Sequence, residues 1–547
     1  MFRSSFIFVA VFLLLASSIS AAPTERQLQL SPYAPRKATC PSTPLVRPAT
    51  GLSSSETTYV KGRKTKANAG LAAWLKKVNS GFATTKLPTV SLATSGGGYR
   101  ALLTGGGIVQ AFDARDSTAG TAGLYQGLTY HAGLSGGAWL LSSIVGNNYP
   151  TITSLKKGLW EAAFQASLLL PGNLLAADAY VDVVTDITAK DLAGFDPTLT
   201  DPWGRLLSYQ LLYGPDGGVT KTLSSVSGMS NFTSFNGPFP IMTALGINTF
   251  EGKCLPDLNA TQYEFTPYDF GSWDKGVSAF TQTKYLGTTL TNGKPSSSSN
   301  CIQNYDNLGY VLGTSSHLFN SVCGIIPPIN STNDLAETLE AIIDLVEEPA
   351  LRDLYAVYKN PFKNYTRSSL ISAQSELDLV DGGEANQINP IWPFIQPSSK
   401  SRADVLIVND NAADTDANFP DGSELQETYI QAQAAGLTRM PFIPSAAVFA
   451  AKNLTKRASF FGCGDASKLT IVYLPNTNYT YPSGQPTLKL QYSVAETDGM
   501  VANGVAVGTQ NGDANWPTCL GCAILQKSGT TLPTACTACF SKYCYKQ

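Results

Sequence analysis

The run Gly133-Leu134-Ser135-Gly136-Gly137 holds one serine among glycines, with GLTYHA leading into it and AWLLSSIV leading away. This G-x-S-x-G spacing lets a strand turn sharply into a helix and leaves the hydroxyl at the apex, where a nucleophile is needed. Glycine suits the flanks because a Cβ would clash where backbones crowd or φ turns positive. Upstream, SLATSGGGYRALLTGGG carries Gly96, Gly97 and Gly98 between a strand-like run and a helical one. Bare amides in such a turn suit an anion, either a bound phosphate or a developing oxyanion. The nucleotide spacings G-x-x-x-x-G-K-S/T and G-x-G-x-x-G are both missing. An oxyanion hole built from the N–H groups of Gly97 and Gly98, joined by that of Gly136, fits better. Arg100 follows those glycines; its planar fork suits a substrate phosphate, against the ordinary reading of a solvated or salt-bridged turn residue.

A serine hydroxyl needs a base. In ELDLVDGGEANQINPIWP, Asp381 follows an apolar strand-like run, so its carboxylate emerges at a strand end, where α/β enzymes put their sites. An aspartate before Gly-Gly also fits a simple turn. The histidines weigh between the two readings, because a Ser-His-Asp triad requires an imidazole and this chain has 2. His131 stands on the strand entering Ser135, too near along the chain to swing round as its base. His317, in GTSSHLFN, has no signature around it. With neither serving, Asp381 takes the proton and the pair is a serine–aspartate dyad. An aspartate has a reference pKa of about 3.9, so activity is expected to persist into acid until Asp381 protonates. Two alternatives stay open: an α/β-hydrolase-type esterase with His317 as base, and a non-catalytic patatin-like storage or wall glycoprotein.

These groups need strands and helices to carry them. Strand-like apolar runs occur at Leu87 to Ala93, Leu377 to Val380, Val405 to Val408 and Leu469 to Leu474. Alternating with helical pattern, they predict an α/β protein with a central sheet flanked by helices. An amphipathic helix is expected over DLAETLEAIIDLVEE, with Leu335, Leu339, Ile342, Ile343 and Val346 as its apolar stripe. The apolar segment Ala166 to Tyr180 packs into the core or caps an acyl channel. No linker or internal repeat divides the chain.

Composition and targeting signals limit the partners. Lys and Arg number 38 against 40 Asp and Glu, so no net field draws nucleic acid. Residues 1–22 have one early basic residue, an apolar stretch and then small residues, the layout of a secretory signal peptide. Asn-x-Ser/Thr triplets at Asn231, Asn259, Asn330, Asn364, Asn453 and Asn478 are glycan acceptors in an exported chain. The 10 cysteines are an even set, half of them in the tail 519–544 with two C-x-x-C pairs. Export favours disulfide staples there over zinc. A calcium-loop likeness from Asp414 fails at Phe419 and Leu425, so no metal or other cofactor is expected.

SGGGYRALLTG, AGLSGGAWL, EFTPYDFGSWD, LVDGGE and CFSKYC occur in this order. Together they resemble the secreted fungal lysophospholipase or phospholipase B family, a relative of the cytosolic group IV phospholipases and more distantly of patatin. The likeness runs from Cys40 to Cys544, which sets a single catalytic domain over 40–545. The resemblance implies a mixed sheet flanked by helices and a nucleophile at Ser135 with its aspartate at Asp381. It also implies oxyanion glycines at Gly97 and Gly98 and a phosphate-facing Arg100. The reaction it implies is hydrolysis of acyl esters of lysophospholipids or phospholipids at a micelle or membrane interface, with no protein partner. The family pattern differs at Gln387-Ile388-Asn389-Pro390, which leaves open how the loop after Asp381 is held, and it has a serine where this chain has His317.

Overall fold

The computed structural model describes residues 31–169, 176–324 and 353–546. The leader 1–22, Asn330 and the helix expected over 334–348 lie outside the described residues, as does part of the apolar segment 166–180.

Twelve strands form the main sheet: β1 (Val46–Pro48), β2 (Val90–Thr94), β3 (Leu128–Leu134), β4 (Phe239–Ile247), β5 (Gln262–Phe265), β6 (Asp269–Ser272), β7 (Ala279–Gln282), β8 (Ala356–Lys359), β9 (Glu376–Asp381), β10 (Val405–Asp410), β11 (Ser459–Phe461) and β12 (Thr470–Pro475). Their order is β11-β12-β10-β2-β3-β4-β5-β6-β7-β1, and β9 pairs with both β4 and β8. From β12 through β10, β2 and β3 to β4 the strands are parallel. Every residue of β2, β3 and β10 is buried, which is why these strands read as near-continuous apolar runs. From β4 to β1 the sheet continues antiparallel. There β5 and β6 are joined by a tight turn, in which the Thr266 hydroxyl accepts from the Asp269 amide at 2.9 Å.

The helices that bear on the site are α1 (Ser54–Val78), α2 (Gly98–Phe112), α3 (Gly136–Gly146), α4 (Thr200–Leu211), α5 (Leu308–Ser315), α6 (Val494–Thr509), α7 (Trp516–Leu525) and α8 (Ala535–Tyr543). Side-chain caps start several of them: Ser53 accepts from Glu56 at α1, Asn307 from Gly309 at α5, and Ser493 with Glu496 forms a capping box at α6. In the core, Arg402 lies between Glu56 of α1 at 2.8 Å and Glu264 of β5 at 2.7 Å. The Trp273 indole donates to Glu264 at 2.6 Å, so the motif EFTPYDFGSWD supplies a paired, hydrogen-bonded charge cluster to the interior.

The tail is stapled. Cys519–Cys539 and Cys522–Cys536 cross-link α7 to α8, so the two C-x-x-C motifs pair with each other. Cys463–Cys544 ties the C-terminus beside β11, and Cys40–Cys301 closes the other end of the described chain. Among the described residues no helix is long and apolar enough to cross a membrane.

Candidate active site

Sheet register brings Ser135 and Asp381 together. On one edge of β4, Thr243 pairs with Leu134, the last residue of β3, and the next residue, Ala244, pairs with Asp381, the last residue of β9. β5 occupies the other edge of β4 over the same stretch, so β3 and β9 lie end to end along one edge. Ser135, one residue past β3, therefore meets the carboxylate across a gap that β4 spans. The Ser135 hydroxyl lies close enough to the Asp381 carboxylate to pull its pKa down.

Ser135 sits at the turn into α3 with φ 50° and ψ −121°, a strained conformation for a non-glycine residue. Such positions cost about 1–3 kcal/mol and persist only where surrounding structure holds them. Its amide donates to the Ser315 hydroxyl at 2.9 Å. The start of α2 comes against this turn. A Cβ on Gly136 would lie 2.1 Å from the Gly98 carbonyl oxygen, and one on Gly96 would lie 3.0 Å from the Ser135 Cβ. Gly98 has φ +57°, in the left-handed region. The N-termini of α2 and α3 thus converge beside the hydroxyl, and their first amides have no acceptor four residues back within the helix. The loop before α2 is braced by Gly96 donating to the Ile388 carbonyl at 3.2 Å, while the Ile388 amide donates to Glu424 at 2.8 Å. The loop after Asp381 is thus held through the backbone of Ile388.

Asp381 accepts from the Gly383 amide at 2.7 Å, and its own amide donates to the His317 carbonyl at 2.9 Å. Burial pushes its carboxyl up to about 7, against the opposing pull of the Ser135 hydroxyl and the Gly383 amide. The expectation of an ordinary aspartate that stays ionised well into acid is thereby corrected: the group is 3 % exposed, and desolvation outweighs its hydrogen bonds. Glu384 lies nearby and is pushed to about 8, mainly by burial and further by the charge of Asp381, while Asn320 donates to it at 2.6 Å.

Both imidazoles face elsewhere. His131 Nε2 meets the Thr94 hydroxyl at 3.0 Å, and burial lowers its pKa to about 3. His317 Nδ1 meets the Thr200 hydroxyl at 2.8 Å and its Nε2 the Leu354 carbonyl, with its pKa lowered by burial to about 4. Arg100 is fully buried beside Gly97. It donates from Nε to the Asn411 carbonyl at 2.9 Å, from Nη2 to the Thr487 hydroxyl at 3.1 Å and from Nη1 to the Gln485 carbonyl. Among the sequon residues, Asn259, Asn364, Asn453 and Asn478 are exposed. Asn231 is half-buried, its side-chain amide donating to the Asn148 carbonyl at 2.7 Å. Of the expected apolar cap, Leu168 is buried with its amide on the Leu490 carbonyl at 3.0 Å.

Sequence reasoning missed Ser315 and Glu424. Nothing in their local pattern marks them, because each acts through contacts with residues tens to hundreds of positions away. A cavity of about 260 Å³ lies at the other end of β9, lined by Asn248, Thr249, Glu376 and Asp378 among others, away from Ser135.

The fold is that of a phospholipase. Human GIVD cytosolic phospholipase A2 superimposes with a TM-score of 0.67 over 90% of this chain and 72% of its own, at 15% identity. Residues 90–547 match the sequence profile of the lysophospholipase catalytic domain. Lysophospholipase 2 of Aspergillus fumigatus is 36% identical, covering 96% of this chain and 95% of that protein. Lysophospholipase 1 of Saccharomyces cerevisiae is 37% identical, covering 97% and 87%. The chain belongs to the fungal lysophospholipase or phospholipase B family, and with it to the phospholipid ester hydrolases.

Proposed function

We propose that this protein is a secreted lysophospholipase and phospholipase B that works through a Ser135–Asp381 dyad and an acyl-enzyme. The observation that carries the reading is the sheet register that sets Ser135 beside Asp381, with the serine hydroxyl acting on the carboxyl's pKa, while both histidine rings are engaged elsewhere. The substrate carbonyl oxygen faces the amides of Gly97, Gly98 and Gly136 at the two helix N-termini. Ser135 Oγ attacks the carbonyl carbon as Asp381 takes its proton; the tetrahedral oxyanion collapses, and Asp381 returns the proton to the departing alcohol oxygen. Water then adds to the acyl-enzyme, again giving its proton to Asp381, and Ser135 leaves with that proton as the fatty acid departs. Ser135 is 6 % exposed, so a lipid reaches it only when the segments over it part. For Arg100 to meet a headgroup phosphate, Gln485 and Thr487 must release its fork; in the arrangement seen, the guanidinium braces the Gly97 turn.

The catalytic domain is taken as 40–545, the leader as 1–22. Glycans are assigned to the exposed Asn259, Asn364, Asn453 and Asn478, and with them Asn231 and Asn330. Disulfides across the tail suit an oxidising compartment. The lipid is met at micelle or membrane interfaces.

The test is Ser135→Ala and Asp381→Asn, assayed on lysophospholipid, with a fluorophosphonate probe mapped by mass spectrometry on the secreted parent. Each variant is expected to lose at least about 10⁴-fold in kcat while still being secreted. The probe is expected on Ser135, and the same spectra read the mature N-terminus and glycan occupancy. Substantial turnover in either variant refutes the dyad.

A further inference from the structure

Ser135 is strained, and Asp381 stands at the last residue of its strand. Something must fix both. The C-terminus of α5 touches both partners at once. The Ser315 hydroxyl accepts from the Ser135 amide at 2.9 Å and donates to the Thr243 carbonyl at 2.7 Å. The Ser315 carbonyl accepts from the Gly382 amide at 3.4 Å, and the His317 carbonyl accepts from the Asp381 amide at 2.9 Å. Thr243 is itself the β4 residue paired with Leu134, so the hydroxyl links the nucleophile's turn to the strand that sets the register.

The tripeptide Ser315-Ser316-His317 is anchored on its far side. The Ser316 hydroxyl donates to the Leu312 carbonyl at 2.9 Å and accepts from the Trp203 indole at 3.1 Å. The His317 ring is held between Thr200 of α4 and the Leu354 carbonyl. All three residues are buried. The segment therefore has one face fixed to α4 and the other turned to the dyad.

We propose that Ser315 is a positioning residue for the reaction, its hydroxyl holding the strained Ser135 backbone so that the nucleophile points at Asp381. This rests on the dyad reading. It also explains why a histidine is kept buried and uncharged beside a serine hydrolase site without acting as the base: its ring anchors the segment and its backbone carbonyl serves Asp381. A second consequence concerns the oxyanion. The Ser135 amide is committed to Ser315, so the charge falls to the glycine amides of α2 and α3.

The experiment compares Ser315→Ala, Ser315→Thr and Ser315→Cys with the parent in the full secreted chain. It measures kcat and KM on lysophospholipid below its micellar concentration, the rate of fluorophosphonate inactivation, and Tm. Misplacing a nucleophile by about 1 Å costs about 10²-fold, and Ser315→Ala is expected to lose about that in kcat and in inactivation rate with KM within about twofold. Ser315→Thr, which keeps the hydroxyl, is expected to recover most of the loss, with Ser315→Cys between the two. A structural role alone would lower Tm and secretion without splitting kcat from KM. The proposal is overturned if Ser315→Ala keeps more than about half of kcat. It is equally overturned if the threonine variant is no better than alanine, or if none of the variants is secreted. Inactive Ser135→Ala together with active Ser315→Ala would sink this proposal and leave the dyad standing; active Ser135→Ala would sink the dyad itself.

Discussion

The acid limb of the pH–rate profile tests the base directly. Asp381 is buried, and its pKa is raised to about 7. Only its ionised form accepts the serine proton, so kcat/KM should fall with a one-proton slope below neutrality. At about pH 5, two units below that value, about 1% of the group is ionised and kcat/KM is expected to lie about 100-fold below its plateau. An aspartate of ordinary pKa, about 3.9, would instead keep more than about nine-tenths of its activity at that pH. The assay is hydrolysis of a lysophospholipid below its micellar concentration from about pH 4 to 9, so that interfacial packing does not vary with the substrate. An imidazole of ordinary pKa, about 6.5, would also give a limb near neutrality, whereas burial lowers His317 to about 4; two controls separate the readings. His317→Asn removes the titrating group at that position, and the limb should stay in place even if kcat falls. The limb should also barely shift with temperature, since ionisation of a carboxyl releases little heat and that of an imidazolium much more. A limb centred below about pH 5, or one that disappears with His317→Asn, refutes the reasoning.

Two further outcomes follow from the same geometry. Gly136→Ala puts a methyl 2.1 Å from the Gly98 carbonyl oxygen and must push the starts of α2 and α3 apart. We expect about 10²–10³-fold loss of kcat, and parent-like turnover would remove Gly98 and Gly136 from the oxyanion site. Thermal stability should have the opposite pH dependence to activity. Asp381 at about 7, Glu384 at about 8 and Asp306 at about 6 are raised above their unfolded values, so between about pH 4 and 8 these groups bind more protons in the folded state than in the unfolded chain. Stability from these groups is full below their unfolded pKa values and is lost as pH rises through the folded ones. Tm should therefore be higher at about pH 5 than at about pH 8, by calorimetry on the purified protein, and a lower Tm at pH 5 contradicts the burial argument. The buried His131 and His317, lowered from 6.5 to about 3 and about 4, act the other way below about pH 6.5 and offset part of this rise without reversing it, while Glu496 beside Lys489 and Asp513 beside Lys542 do so only in stronger acid, where water screens them.

Much of the parallel half of the sheet was legible because buried parallel strands are apolar throughout: the runs Leu87 to Ala93, Val405 to Val408 and Leu469 to Leu474 became β2, β10 and β12 with their ends shifted by a few residues. The serine turn and the two glycine-flanked helix starts were legible because left-handed and closely packed backbone leaves few choices of residue. The antiparallel half was not. β5, β6 and β7 are 4-residue strands whose polar members, Glu264 and Asp269, are buried against Arg402 and Arg47, so alternation fails as a signal. The environment of Asp381 was equally out of reach. Its type and its place at a strand end could be read, but its pKa is set by what covers it, and that comes from segments far apart in the chain. Ser315 was missed for the same reason: its role is a contact with an amide 180 residues away.

On the proposed dyad, the raised pKa of Asp381 is what makes a histidine-free site workable. A proton acceptor is most effective when its pKa lies near the working pH, and moving the carboxyl from about 3.8 to about 7 narrows its gap to the serine hydroxyl by about 4 kcal/mol. The shift comes from the exclusion of water, and the same exclusion leaves Ser135 hardly exposed. Opening the site to bulk solvent would return Asp381 toward its ordinary value and weaken the base as substrate arrives. An acyl chain that fills the gap as it opens keeps water out and the pKa high. On the dyad proposed above, the apolar part of a lipid would supply in the complex the burial that the protein supplies alone, and base strength would be coupled to substrate class.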